Sequence, residues 1–304
     1  MLGTTLFIRA SATPGIGAGH AMRMATLAAT WLDASLGRVR WSGEIGIPFV
    51  RRHLESLGVA NEGLAALAGD GDVLVVDSYD PELRADGGRA SEAGVHILVD
   101  DGQGLVPPGY DLVWWPAPFG NRQVYSRHDC DVLTGPDTVP IRPGLPLWSN
   151  DGAGRIGVSL GGGTISGTLL EAVVTVGERL GTGRMTGSGS WIPAAWLQSP
   201  ADEVWATLSR CDHLLVAGGV SAFEAAAVGI PVVVIAFADN QQPTLQWARA
   251  SGVPTIDVPR YRDGVELAHA LELALPQAKP LPPLADGSSR VARHLAELAR
   301  RITA

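Results

Sequence analysis

The stretch TLFIRASATPGIGAGHAMRMATLAATWL, residues 5–32, contains a whole folding unit. It opens with a short apolar run, TLFIRA (5–10). A turn follows in which Gly15, Gly17 and Gly19 alternate, and then His20 begins an apolar segment with helical spacing. A run of this length that is continuous rather than alternating predicts a strand covered on both faces. Strand, glycine turn and amphipathic helix together predict an α/β unit built on a parallel sheet.

The same signal recurs along the chain. VRWSG (39–43), DVLVVDS (72–78), VHILVDD (95–101), DLVWWP (111–116), RIGVSLGGG (155–163), HLLVAGG (213–219) and PVVVIAF (231–237) are further apolar runs. Amphipathic stretches fall between many of them, at 20–36, 49–57, 169–180, 202–209 and 222–228. PIRPGLPLWSNDGAG (140–154) interrupts the series with three prolines, three glycines and little periodicity, as a linker does. The expected organisation is α/β, with two doubly wound, Rossmann-like domains facing a cleft. The first covers residues 1–142, a linker 143–154, and the second 155–304. The closing segment SSRVARHLAELARRITA has apolar residues at Val291, Leu295, Leu298 and Ile302, which predicts a helix with a basic solvated face, able to pack back on the first domain.

Composition narrows the function. The 304 residues are 46% hydrophobic, enough for one or two sizeable cores. A net charge of -8 and a pI of about 5.3 argue against a nucleic-acid partner, which calls for a basic face. No apolar run approaches the roughly 18 residues of a membrane span, and the first ten residues lack the regions of a signal peptide. Cys130 and Cys211 are too few and too far apart for a metal site, and two free thiols in a reducing cytoplasm are expected. No cofactor and no metal are expected.

Ligands of open parallel sheets sit beyond the carboxyl ends of the strands, and three glycine turns fall there. The first carries Gly17, Gly19 and His20. A helix N-terminus offers free N–H groups to an anion and disfavours a cation beside it, which suits a histidine serving as general base. A histidine that merely caps the helix would have the same sequence. The spacing departs from the dinucleotide pattern, and no acidic residue follows at the expected distance, so a nicotinamide cofactor is set aside. The second turn is Gly161, Gly162, Gly163 and Thr164; the third is Gly218, Gly219, Val220 and Ser221. Neither continues into Lys-Ser or Lys-Thr, so neither is a Walker A loop, but both suit a diphosphate held by backbone N–H groups and hydroxyls. Close helix-on-strand packing would also select glycine there.

Glu224 follows the third turn, placed to accept hydrogen bonds from a ribose diol. Asp239, Asn240 and Gln241 follow the strand PVVVIAF, and Asp77, Ser78, Tyr79 and Asp80 follow VLVV. Asp77, Tyr79, Asp239, Asn240 and Gln241 are candidate sugar ligands, and Asp101, after HILVD, is a candidate catalytic carboxylate. Trp114, Trp115, Trp191 and Trp196 are candidate sugar-stacking platforms, with at least one of the first pair expected in the core.

Several of these motifs together carry a resemblance. IRASATPGIGAGHAMRMATLA, LVVDSYD, ILVDD, LTGPDTVPIRPGL, VSLGGG and AGGVSAFEAAAVGIPVVVIAFADNQ resemble, in order, the UDP-sugar hydrolase of the pseudaminic acid pathway and its spore-coat polysaccharide relatives, from Ile8 to about Val253. The resemblance implies the two-domain glycosyltransferase-B architecture. It implies a catalytic histidine at His20, an arginine one helix turn on at Arg23, a diphosphate turn at Gly218, Gly219 and Ser221, a ribose ligand at Glu224 and a sugar contact at Asn240. Two departures stand out. The cysteine usual after the arginine is Met24, and WWPAPFGNRQ replaces an Asn-rich segment that shapes the family's sugar pocket. The expected reaction is hydrolysis of a UDP-sugar with inversion. The alternative is an inverting glycosyltransferase that uses the same residues on a second, acceptor substrate.

Overall fold

A computed structural model describes residues 4–61, 72–90, 94–161, 164–181, 185–187, 196–198 and 203–302. The chain divides into two compact units. One is Met1–Pro143 with Ala285–Ala304; the other is Gly144–Leu284.

The first unit is built on a parallel sheet of β1 (Thr4–Ala10), β2 (Gly37–Ser42), β3 (Asp72–Asp77), β4 (Gly94–Val99), β5 (Leu112–Trp115) and β6 (Asp131–Thr134), in the order β2-β1-β3-β4-β5-β6. Its strands read as unbroken apolar runs because both faces are covered. Leu6, Ile8, Val73 and Val75 enter one core, and Phe7, Leu74 and Val76 enter another on the opposite face. The chain leaves β1 through α1 (Gly19–Asp33) to β2 on one side, then returns to place β3 on the other. The order therefore reverses between β1 and β3, with Ala10 paired to Asp77 at the carboxyl ends.

Helix α1 is buried along most of its length, including Leu27, Ala28 and Trp31, so it needs a second cover besides the sheet. That cover is α9 (Ser288–Ile302), which buries Val291, Leu295 and Ala299 at i, i+4 and i+8. Thr30 Oγ1 of α1 lies 2.8 Å from Ser288 Oγ. Asp286 pins the entry to α9: its carboxylate accepts from Ser288 N at 2.9 Å and from Ile141 N at 3.0 Å. Arg290, Arg293, Arg300 and Arg301 face outward. Residues 285–304 thus belong to the first unit, because the last helix completes its core.

The second unit repeats the construction. Its parallel strands are β7 (Ile156–Ser159), β8 (Met185–Gly187), β9 (Leu197–Gln198), β10 (His213–Ala217), β11 (Val232–Ala236) and β12 (Thr255–Asp257), in the order β12-β11-β10-β7-β8-β9. The reversal lies between β7 and β10. Helices α4 (Gly167–Leu180) and α8 (Gly264–Ala274) bury Leu169, Val173, Val176, Leu267 and Leu271 against this sheet. Helix α6 (Val220–Val228) follows β10 directly. Cys130 and Cys211 are free thiols, and burial pushes the Cys211 thiol up to about 12. No helix among the described residues is long and apolar enough to cross a membrane.

The cover that α9 gives to α1 is testable. Leu295→Ala opens a cavity under a fully buried side chain and is expected to cost about 3 kcal/mol, measured as a lower urea midpoint at pH 7.

Candidate functional site

The reversal between β1 and β3 is where an open parallel sheet leaves a crevice at its carboxyl edge. The β1–α1 connection forms a tight turn there. Gly17 N donates to Thr13 O at 2.7 Å, and Gly17 has φ of +86°, a conformation open to glycine and costly for other residues. The turn delivers Gly19 and His20 into the first turn of α1, which has no side-chain cap and no acidic residue. Gly17 is buried and shapes the turn; Gly19 opens the helix.

His20 faces Asp77 at the end of β3. Nδ1 is hydrogen-bonded to Asp77 Oδ1. A carboxylate accepts, so Nδ1 carries the proton and Nε2 is the basic nitrogen. Arg23, one turn along α1, grips the same carboxylate from behind. Its Nε donates to Asp77 Oδ2 and its Nη2 to Asp77 Oδ1, each at 2.6 Å. Nη1 reaches Asp101, beyond β4, at 2.7 Å. The Tyr79 hydroxyl donates to Asp101 Oδ2, and the Tyr79 ring stands edge-on to His20, centroids 4.5 Å apart. Five side chains from three neighbouring strand ends thus form one connected network.

Its electrostatics follow from burial. Asp77 is 1% exposed. Burial alone would disfavour its charge, but the Arg23 guanidinium, then His20, outweigh that and hold the carboxyl far below the usual carboxylate range. Asp101 is lowered in the same way, chiefly by Arg23 working against burial. Arg23 itself is held well above its ordinary value, since the two carboxylates overcome the burial that would lower it.

This geometry revises one expectation and extends others. Asp77, expected as a sugar ligand, has both its oxygens bonded to His20 and Arg23. Arg23 and Asp101 join the same network, and Tyr79 is partly exposed beside the ring. Trp114 and Trp115 are both buried, Trp114 Nε1 donating to Thr138 O at 3.1 Å, so neither is a stacking platform. Trp196 is buried too, and Trp191 lies outside the described residues. Behind Asp101 is a group that no motif announced. Asp100, buried, accepts from Arg84 Nη2 at 2.7 Å, from the Tyr125 hydroxyl at 2.5 Å and from Gly104 N at 3.2 Å. Its sequence signal was its place as the first aspartate of ILVDD, and its side-chain partners lie 16 and 25 residues away.

In the second unit the reversal between β7 and β10 brings Ser159 Oγ within 3.0 Å of Ser221 Oγ, at the start of α6. Gly161 has φ of +83° with open space where a Cβ would stand, and Gly219 is equally open. Gly218 is different: a Cβ there would lie 2.9 Å from Gln241 O, so this glycine serves close packing. Gly162 and Gly163 lie outside the described residues. Glu224 is buried on α6, and its Oε2 accepts from Trp205 Nε1 at 3.0 Å. Asp239 and Asn240 are exposed on the turn after β11. Gln241 Oε1 accepts from Phe237 N at 2.9 Å and closes that turn. Among the described residues no group of three or more His, Cys, Asp or Glu is arranged to hold a metal ion.

No protein-family model matches the chain, and no curated protein matches it by sequence. Solved structures do match by fold. Staphylococcus aureus MnaA in complex with UDP superposes with a TM-score of 0.64 at 13% identity, covering 99% of this chain and 98% of that one. Acinetobacter baumannii MurG gives 0.57 at 13%, covering 98% and 99%. The glycosyltransferase SnogD from Streptomyces nogalater gives 0.53 at 16%, covering 98% and 100%. The chain has the glycosyltransferase-B architecture, two parallel-sheet α/β domains, over essentially its whole length.

The clamp on Arg23 makes a prediction about stability. Asp77→Asn leaves a buried cation short of a partner and is expected to cost about 3–5 kcal/mol at pH 7. A carboxylate whose folded value is depressed stabilises above its unfolded value and loses that contribution as pH falls. The gap between wild type and Asp77→Asn in urea midpoint should therefore shrink below about pH 4.

Proposed function

We propose that the protein is an inverting glycosyltransferase that moves a sugar from a nucleotide sugar, UDP-linked, to a hydroxyl of an acceptor. The observation that carries this reading is the His20–Asp77 pair at the β1/β3 reversal, with Nδ1 tied to a buried carboxylate and Nε2 left as the base.

In the reaction His20 Nε2 takes the proton of the acceptor hydroxyl as its oxygen attacks the anomeric carbon. The bond from that carbon to the diphosphate oxygen breaks on the opposite face, the nucleoside diphosphate leaves, and the anomeric centre inverts. Asp77 keeps the imidazole in the right tautomer and stabilises the imidazolium as it forms. The charges match this step. Arg23 carries +1 and Asp77 and Asp101 carry -1 each, so these three groups leave one negative charge beside the imidazolium that forms when the proton arrives. In this reading the diphosphate goes to the α6 turn, through Gly219, Ser221 and the N–H groups that begin the helix. Glu224, oriented by Trp205, takes the ribose, and Asp239 and Asn240 meet the sugar end.

The fold neighbours support the transfer reading over hydrolysis. One is a glycosyltransferase and another was solved with UDP bound. Hydrolysis of a UDP-sugar, the first expectation from the sequence, would use the same base on water.

The test is a release assay over UDP-, GDP-, CMP- and dTDP-sugars with and without hydroxyl acceptors. UDP release that rises on adding acceptor is expected. His20→Asn should lower the rate by about 10²–10⁴-fold, the usual worth of a general base. Release at the wild-type rate from folded His20→Asn would sink the role given to His20. Release that is fastest without any acceptor would return the reading to hydrolysis. Glu224→Ala is expected to weaken UDP binding by calorimetry without changing the melting profile of the first unit.

A further inference from the structure

Beyond the network around His20, the first unit exposes apolar side chains in an ordered way. Among the described residues eight large hydrophobic side chains are exposed. Four of them, Ile16, Tyr79, Leu105 and Val124, lie on the segments that follow β1, β3, β4 and β5. Those four strands are neighbours in the sheet. One exposed apolar residue thus comes from each successive segment on the carboxyl edge. The row crosses three strand spacings, about 14 Å at ~4.8 Å each. Isolated surface hydrophobics need no explanation, but four on successive segments of one sheet edge do.

The row is physically continuous with the base. Tyr79 stands against the His20 ring and bonds Asp101. The chain then runs through Gly102 to Gly104, where a Cβ would lie 3.1 Å from a Val124 methyl. Leu105 follows, 69% exposed.

This platform is held from below at some cost. Asp100, Arg84 and Tyr125 are all buried. Arg84 bonds both Asp100 and Leu105 O, Tyr125 bonds Asp100, and Gly104 N bonds Asp100. His128 Nε2 lies 2.9 Å from Gly104 O. A buried ion pair is poor economy for stability alone. Here it fixes a short loop that carries Asp101 toward the base at one end and presents Leu105 to solvent at the other. A preorganised apolar surface lowers the ordering cost of whatever binds it.

We propose that the acceptor is a largely apolar molecule with one reactive hydroxyl, which lies along Tyr79, Leu105 and Val124 with that hydroxyl at His20. This rests on the transferase reading above. The shelf ends on the ring of the base, so its occupant is the reacting partner, and its length suits a molecule of two or more fused rings or a chain of comparable reach.

The probe is 2-naphthol, with methyl glucoside as the polar counterpart, titrated into the full-length protein by ligand-observed NMR. Naphthol is expected to bind, and methyl glucoside not to displace it. Leu105→Asp and Val124→Asp, both at exposed positions, should each weaken naphthol binding about tenfold, the worth of one apolar side chain's contact, with unchanged circular dichroism. Naphthol affinity unchanged from wild type in both variants, or tighter binding of methyl glucoside, would overturn the proposal. So would a wild-type dimer that Leu105→Asp turns into a monomer while naphthol binding stays the same, since the row would then be an interface between copies of this chain. The underlying reading is tested separately. His20→Asn should keep naphthol binding and lose transfer to it. Binding that depends on Leu105 and Val124, with no transfer from any sugar nucleotide, would overturn the transferase reading and leave the apolar site standing.

Discussion

The guanidinium of Arg23 is the constraint on which the first unit's site depends. It is buried on α1 between two carboxylates that come from different strand ends, Asp77 after β3 and Asp101 after β4. A buried cation must be paired and fully hydrogen-bonded, so the positions of α1, β3 and β4 cannot drift independently. Because His20 lies one turn from Arg23 and shares Asp77 with it, the same clamp sets the tautomer and direction of the imidazole. Ion pairing, not apolar packing, aligns α1, β3 and β4 at this edge of the unit, while the packing of α9 on α1 keeps the helix that carries both residues in place.

Both units place their candidate site residues at the same topological feature. In the first the sheet order reverses between β1 and β3, in the second between β7 and β10. At each reversal two connections leave the sheet in opposite directions and open a crevice at its carboxyl edge. The chemistry installed there differs. The first unit has a buried ionic network suited to moving a proton. The second has small residues, hydroxyls and the free N–H groups of α6, suited to an anion. One architecture therefore provides two unlike sites from two unlike turns.

Asp100 and Asp101 show how adjacent residues divide labour. Successive side chains at a strand end point to opposite sides. Asp101 joins Arg23 and Tyr79 in the site. Asp100 turns inward to Arg84, Tyr125 and Gly104 N and fixes the loop. The loop is thus anchored from within while its outer surface stays apolar.

The sequence by itself determined the class of fold and the strand ends where its candidate site residues gather. Unbroken runs such as LVVD and VVVIA need cover on both faces, which dictates parallel sheets flanked by helices, and the glycine turns mark where strands end. His20, Asp77 and Asp101 were legible as strand-end or helix-start polar residues, since the spacing that puts them there is local, and Arg23 was legible through the family resemblance. Their partnerships were not. Asp77 lies 57 residues from His20 and 54 from Arg23, and only the β1–β3 pairing makes them neighbours, which ties an expected sugar ligand to the imidazole and the guanidinium. The same holds for Trp114 and Trp115, whose apolar rings fit either a stacking surface or a core until β5 is seen covered between β4 and β6. It holds too for the final helix, whose amphipathic pattern fixed its buried face but not what that face covers. Periodicity encodes which side of an element is buried. Pairing across the sheet, a long-range property, decides which buried and exposed groups meet.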